Sequence, residues 1–144
     1  MDSYKARGII YYDGKLLLVR NKSSENFWCL PGGNINQGES IVEALKRELV
    51  EETGIEPILG NLLYIHQIKG PNGYGIPEFL FHIQNGKDYL SLDISKSSHG
   101  ELELAEIGFK ELGSLNIMPK FLQEDIPIVA NRRFEVPVQF KLSD

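Results

Sequence analysis

Three glutamates, Glu48, Glu51 and Glu52, stand at i, i+3 and i+4 in a run with helical periodicity. With Ile41 set at 0° and about 100° per residue, Leu45, Leu49 and Val42 fall near 40°, 80° and 100° and define an apolar stripe. Glu52 then falls near 20° and Glu48 near 340°, inside that arc, with Glu51 near 280° on its margin. Lys46, Val50 and Glu43 face water. A helix with no duty beyond packing places its carboxylates opposite the core. Clustering them sets like charges against each other, at about 0.2–0.5 kcal/mol per exposed pair and more when desolvated. Such a cluster calls for cations. Oxygen-rich carboxylate sites suit Mg²⁺, completed by water and substrate phosphates. The alternative is a solvated acidic helix end, an ordinary feature of globular proteins.

The neighbours of the cluster suit a ligand site. Gly32-Gly33 lets a ligand approach the backbone without side-chain obstruction. Ser40 or Gly38 can cap the helix start, and Thr53-Gly54 supplies a left-handed stop. Arg47, near 240° on the wheel, can hold the acids by charge-assisted hydrogen bonds.

The elements that must position these residues follow from the pattern on either side. Ala6 to Tyr12 and Lys15 to Arg20 form a hairpin about Asp13-Gly14. Phe27 to Leu30 is a short strand ended by Pro31-Gly32-Gly33, and residues 39–53 are the helix. Asn61 to Lys69 and Glu78 to Gln84 are strands separated by a loop from Gly70 to Gly75. Glu101 to Lys110 is a further strand, residues 118–131 hold a short helix, and Val136 to Leu142 is a weak terminal strand. This order predicts a layered α/β (α+β) domain with a helix packed on a mixed sheet.

Composition narrows the class. The 144 residues suit one domain, 1–144, and 42% hydrophobic with 24% charged residues excludes a disordered or collagen-like chain. No run of 18 apolar residues is present, so no membrane partner is expected, and the N-terminus lacks the apolar core of a signal peptide. A single cysteine, Cys29, favours a reducing cytoplasm. Twenty acidic against 15 basic residues give a net charge of −5, and no basic stripe marks a nucleic-acid partner. An acidic protein can still bind a phosphorylated small molecule through divalent cations.

Gly33, Glu39 and the run Arg47-Glu48-Leu49-Val50-Glu51-Glu52-Thr53-Gly54-Ile55 fit every position of the Nudix box, and the chain resembles a Nudix hydrolase over residues 33–55. Looser likeness covers Arg7 to Ile10, Leu16 to Arg20, Leu30 to Gly33 and Phe109 to Leu115. The resemblance implies a Nudix-type α/β/α sandwich with a mixed central sheet, and Mg²⁺- or Mn²⁺-dependent hydrolysis of a diphosphate linked to another moiety. It implies Glu48, Glu51 and Glu52 as metal-binding and base residues, the Gly32 carbonyl as a backbone ligand, and Glu39 with Arg47 as a brace. It also implies a further acid from a later strand, for which Glu103 is chosen over Glu101 and Glu106.

The expected substrate is a small nucleotide diphosphate compound, either a nucleoside triphosphate (including oxidised forms) or a nucleotide sugar such as ADP-ribose. Pro71 stands near a proline of ADP-ribose-hydrolysing relatives, although turn formation explains it equally. A homodimer is compatible with these features. The reading from another class is a non-catalytic Nudix-fold module that senses such a metabolite. His66, His82 and His99 are scattered and read as surface or strand residues. Tyr74, Trp28 and Phe27 are candidates to stack on a base, and Lys5, Arg7, Arg20 and Lys22 to face a phosphate, against packing and exposed strand ends.

Overall fold

The computed structural model describes residues 3–22, 26–92, 104–113 and 115–144. The leading strand does not run unbroken into the first hairpin. It divides at Ile10 into β1 (Lys5–Ile9) and β2 (Tyr11–Tyr12), and the two halves join different sheets. β2 forms the expected hairpin with β3 (Lys15–Asn21), Tyr11 opposite Leu16 and Tyr12 opposite Lys15. The turn places Asp13 and Gly14 at φ 50° and 77°, the left-handed pair that twists with the strands.

Two further short strands follow, β4 (Trp28–Cys29) and β5 (Gly32–Asn34), then α1 (Ile41–Thr53). Next come β6 (Leu59–Gly70), β7 (Gly73–Tyr74), β8 (Glu78–Ile83) and a 3₁₀ turn over Gly86–Ser91 that the sequence pattern did not reveal. The chain ends with β9 (Leu104–Lys110), β10 (Ile117–Met118), α2 (Phe121–Asn131) and β11 (Gln139–Ser143). The expected loop from Gly70 to Gly75 is partly a hairpin tip, with Lys69 opposite Tyr74 and Gly70 opposite Gly73.

One sheet has the order β11-β6-β8-β1-β5 and the other β10-β4-β3-β2, with β9 on the remaining edge of β3. Both are mixed. β1 runs parallel to β8 and antiparallel to β5, and β10 runs parallel to β4, which is antiparallel to β3.

Apolar cores lie on opposite faces of these strands. Leu16 and Leu18 of β3 pack with Ile9, Tyr64 and the α2 residues Leu122 and Ile126. Leu17, between them in sequence, packs with Ala6, Ile10, Ile83 and the α1 residues Leu45 and Leu49. The period-2 alternation of a strand sends the unbroken Leu16-Leu17-Leu18 run to both cores, so a helix covers each face. The result is the expected α/β/α layering.

Candidate active site

Ser40 caps α1 with a complete capping box: its hydroxyl accepts from the Glu43 N–H at 3.1 Å, and the Ser40 N–H donates to Glu43 Oε1 at 3.0 Å. The helix stops at Gly54, whose φ of 74° is left-handed and whose N–H donates to the Val50 carbonyl. Leu45 and Leu49 are buried as the wheel requires, and so is Glu52, at 6% exposure. Val42, placed on the buried stripe by the wheel, is 41% exposed. The buried arc is shifted toward Ala44 instead, because Ala44 stands one turn N-terminal to Glu48, and Glu48 and Glu52 face the sheet side by side with Leu45 and Leu49.

The acids meet the Gly32–Gly33 strand at close quarters. The Gly32 N–H donates to Glu52 Oε1 at 2.6 Å. Gly32 itself is at φ +136°, and a Cβ there would strike the Ala6 carbonyl oxygen and stand 2.7 Å from the Arg7 Cα. A Cβ on Gly33 would stand 2.6 Å from the Glu48 carboxyl carbon. These two glycines make a cradle into which carboxylates, rather than side chains of β5, project.

Arg47 gathers the rest. Its guanidinium donates to both oxygens of Glu39, at 2.7 and 3.0 Å, to Glu48 at 2.9 Å and to Glu51 at 3.1 Å. It also donates to the Asn34 carbonyl at 2.9 Å, which ties α1 to β5. The bond from Arg47, then that from the Asn36 N–H, holds the Glu39 carboxyl below the usual range. In return Glu39, against some burial and with help from Glu48 and Glu51, raises the already high Arg47 pKa further.

The donor set is three carboxylates on one helix face beside an open backbone, hard oxygen chemistry that fits Mg²⁺ or Mn²⁺. Among the described residues no three His, Cys, Asp or Glu side chains form a ready-made metal cluster, since Glu48 and Glu51 are turned to Arg47 and Glu52 to Gly32. Glu103 and Glu101 lie outside the described residues. Glu106, their rival, is held by Lys110 at 2.9 Å and Arg20 at 3.5 Å, and both cations also stand over the Trp28 ring.

Beside the cradle opens a cleft of about 520 Å³, lined among others by Lys5, Asn34, His66, Pro71, Tyr74 and Glu78. Tyr74 is 46% exposed on its wall. Lys5 donates to the Asn34 side chain at 2.7 Å. Arg7 is no exposed strand-end charge. It is drawn inward, donating to the Leu30 carbonyl at 2.9 Å and standing 3.5 Å from Glu78. Burial pushes the Glu78 carboxyl up, and His66 with Arg7 outweighs this and holds it below the usual carboxylate range. Sequence reading passed over Glu78. The available signal was a carboxylate beginning the apolar Phe79-Leu80-Phe81 run, where a buried partner is required.

Comparison with known proteins agrees with this architecture. The family model described as the NUDIX domain matches residues 3–119. An ADP-ribose pyrophosphatase of Methanocaldococcus jannaschii is 40% identical over 73 residues, covering 48% of this chain and 43% of that protein. An 8-oxo-dGTP diphosphatase of Buchnera aphidicola is 51% identical over 41 residues, 28% of this chain and 33% of that one. The matches thus span less than half the length of either relative. The E. coli ORF135 protein, solved in solution, superposes with a TM-score of 0.68 at 24% identity, covering 93% of this chain and 94% of its own.

Proposed function

Because this chain belongs to the NUDIX family, we propose that it hydrolyses the diphosphate of a small nucleoside diphosphate derivative with the help of Mg²⁺ or Mn²⁺. The observation that carries the reading is the set of bonds by which Arg47 and Gly32 hold Glu48, Glu51 and Glu52 against the β5 cradle. Like charges are packed there at a cost that a purely structural helix avoids. The names of the two curated relatives, both diphosphate-cleaving enzymes, support the same reaction class.

In this reading the three glutamates and the Gly32 carbonyl hold the cation, joined by Glu103. When bound, it supplies Lewis-acid polarisation of the phosphoryl oxygens and offsets charge on the leaving phosphate. One glutamate of the cluster takes the proton from the attacking water. Arg47 and Glu39 position the acids, and the Gly32 N–H fixes the direction of Glu52. The moiety beyond the diphosphate enters the neighbouring cleft, whose size is usual for a small-molecule site. A nucleoside triphosphate (oxidised forms included) and an ADP-ribose-like nucleotide sugar are the two candidate classes, and the cytoplasm is the setting that the single Cys29 supports.

The test is a panel of nucleotides incubated with the purified protein, with Mg²⁺, with Mn²⁺ and with excess chelator, following mononucleotide release. Release that stops with chelator is expected. Tight binding of a nucleotide with no release under any metal supports a sensing module instead.

A further inference from the structure

The sheet β11-β6-β8-β1-β5 is covered unequally on the side that carries α1. One row of paired residues crosses that face from edge to edge: Phe140, Ile65, Phe79, Ala6 and Gly33. Helix α1 lies against β5 and β1, where Ala6 is buried with Leu45 and Leu49. A helix is about 10 Å across and neighbouring strands are about 4.8 Å apart, so α1 does not also reach β6 and β11. Toward that edge the row opens. Ile65 and Phe79 are half-buried, and Phe140 is 74% exposed. Leu142 and Val138, two residues to either side in the same alternation, are 61% and 41% exposed.

The strand that carries this strip is also an edge. Among the described residues β11 pairs with β6 alone, so no strand lies on its outer row of N–H and C=O groups. Such a row is a template for another strand unless a charge guards it. Lys141 is the one charge between Gln139 and Ser143, and it is turned to Asp125 of α2 at 2.9 Å, on the face opposite Phe140.

We propose that this edge is a homodimer interface, in which β11 pairs antiparallel with the β11 of a second copy about a two-fold axis at Phe140. The occupant follows from the strand's own sequence. Val138-Gln139-Phe140-Lys141-Leu142 has the same order of apolar and polar character read in either direction. Antiparallel pairing centred on Phe140 sets that ring against its copy, Val138 against Leu142 and Gln139 against Lys141. A two-fold contact requires such self-complementarity, and aromatic and aliphatic cross-strand pairs stabilise sheets. Centring the pair one residue later sets Lys141 against its copy, with like charges directly opposed. No carboxylate lies between Val136 and Ser143, so the net charge of −5 is not concentrated at the contact. Pro137, which has no N–H to donate, ends the ladder at the position opposite Ser143.

The area sets the strength. Phe140, Leu142 and Val138 together expose about 300 Å² on each copy, at the threshold where an apolar patch marks an interaction site. With the backbone edge added, the contact stays at the low end of specific interfaces, about 1,200 Å² in total or less. A weak dimer follows, half-formed on the order of 100 µM.

The experiment follows molar mass by sedimentation equilibrium as the purified protein is concentrated to about 1 mM, well past that midpoint. The wild type is expected to pass from monomer to dimer. Phe140→Lys is expected to stay monomeric throughout, with an unchanged melting temperature in dilute solution because the ring is exposed. Should that variant not fold, Leu142→Lys takes its place. Oxidative cross-linking reads the register, with the wild type and its own Cys29 as the blank. Phe140→Cys lies on the axis, about 5 Å from its copy between Cα atoms, within reach of a disulfide. Leu142→Cys stands four positions from its copy, about 13 Å away, and is out of reach. Linked dimer is therefore expected about tenfold faster through Phe140→Cys. A wild type that is still monomeric at the highest concentration leaves the strip to another occupant and overturns the proposal. So does a dimer that survives Phe140→Lys, or linking through Leu142→Cys as fast as through Phe140→Cys.

Discussion

Arg47 and Glu52 hold the acidic cluster by different means, and their substitutions should fail differently. Glu52 is buried and accepts a 2.6 Å bond from the Gly32 N–H, so Glu52→Gln keeps shape and hydrogen bond while removing charge. Most turnover should be lost and the Mg²⁺ requirement raised, with melting within a few degrees of the wild type. Near-normal kcat at saturating Mg²⁺ removes Glu52 from the metal site. Arg47→Ala breaks the bonds to Glu39, Glu48, Glu51 and the Asn34 carbonyl together. For a partly exposed guanidinium that loss costs about 2 kcal/mol, or roughly 4–8 °C in Tm at this size, together with lower activity. An unchanged melting temperature means that Arg47 braces nothing. The cluster and its arginine were legible in the sequence because helix geometry relates i, i+3 and i+4 without knowledge of the fold. His66 and Glu78 were not legible as a pair, since β6 and β8 bring them together only through sheet register, His66 opposite Glu78.

Elements turn the cluster into a site, and β5 is the critical one. Its two glycines answer different demands. A methyl on Gly33 meets only the end of the Glu48 side chain, which can swing away, so Gly33→Ala should fold normally. The displaced carboxylate should lower kcat on the order of 100-fold, the scale of an ångström's misplacement. A methyl on Gly32 meets the Ala6 backbone at a φ of +136°, so Gly32→Ala should instead depress the melting temperature and expression. Equal melting temperatures for the two variants sink this distinction. The helix start and stop, the Asp13-Gly14 turn and most strands could be read locally, because caps and turns are written in adjacent residues. The division of the first strand at Ile10 could not. Ala6 to Tyr12 is uniformly strand-like, and only the requirement that β1 pair with β8 and β2 with β3 separates the halves. The β7 hairpin tip was likewise hidden by Gly70, Gly73 and Gly75, which signal a loop.

At the scale of the whole molecule the two-sided burial of β3 was written in its apolar run, but the face assigned to each polar strand residue was not, and stability against pH depends on that assignment. His82, read from sequence as a surface or strand residue, stacks on Phe134 with centroids 3.9 Å apart and planes 9° from parallel. Burial there lowers its pKa from 6.5 to about 4. Between those values the unfolded chain binds the proton and the folded chain does not, so stability falls as pH drops from about 6.5 toward 4. Glu39 and Glu78 are held below 4.5, so their contribution is present above that pH and lost only as pH falls through their lowered values. The histidine therefore acts first on acidification, and the carboxylates follow. From pH 7 to pH 5 the His82 share is about 1 kcal/mol after allowance for its partial exposure. That is roughly 0.5 M in a urea midpoint. His82→Phe keeps a ring on Phe134 and removes the titration, so its midpoint should stay level over that range while the wild type's declines. If both decline equally from pH 7 to pH 5, His82 is not the group that makes this fold sensitive to acid.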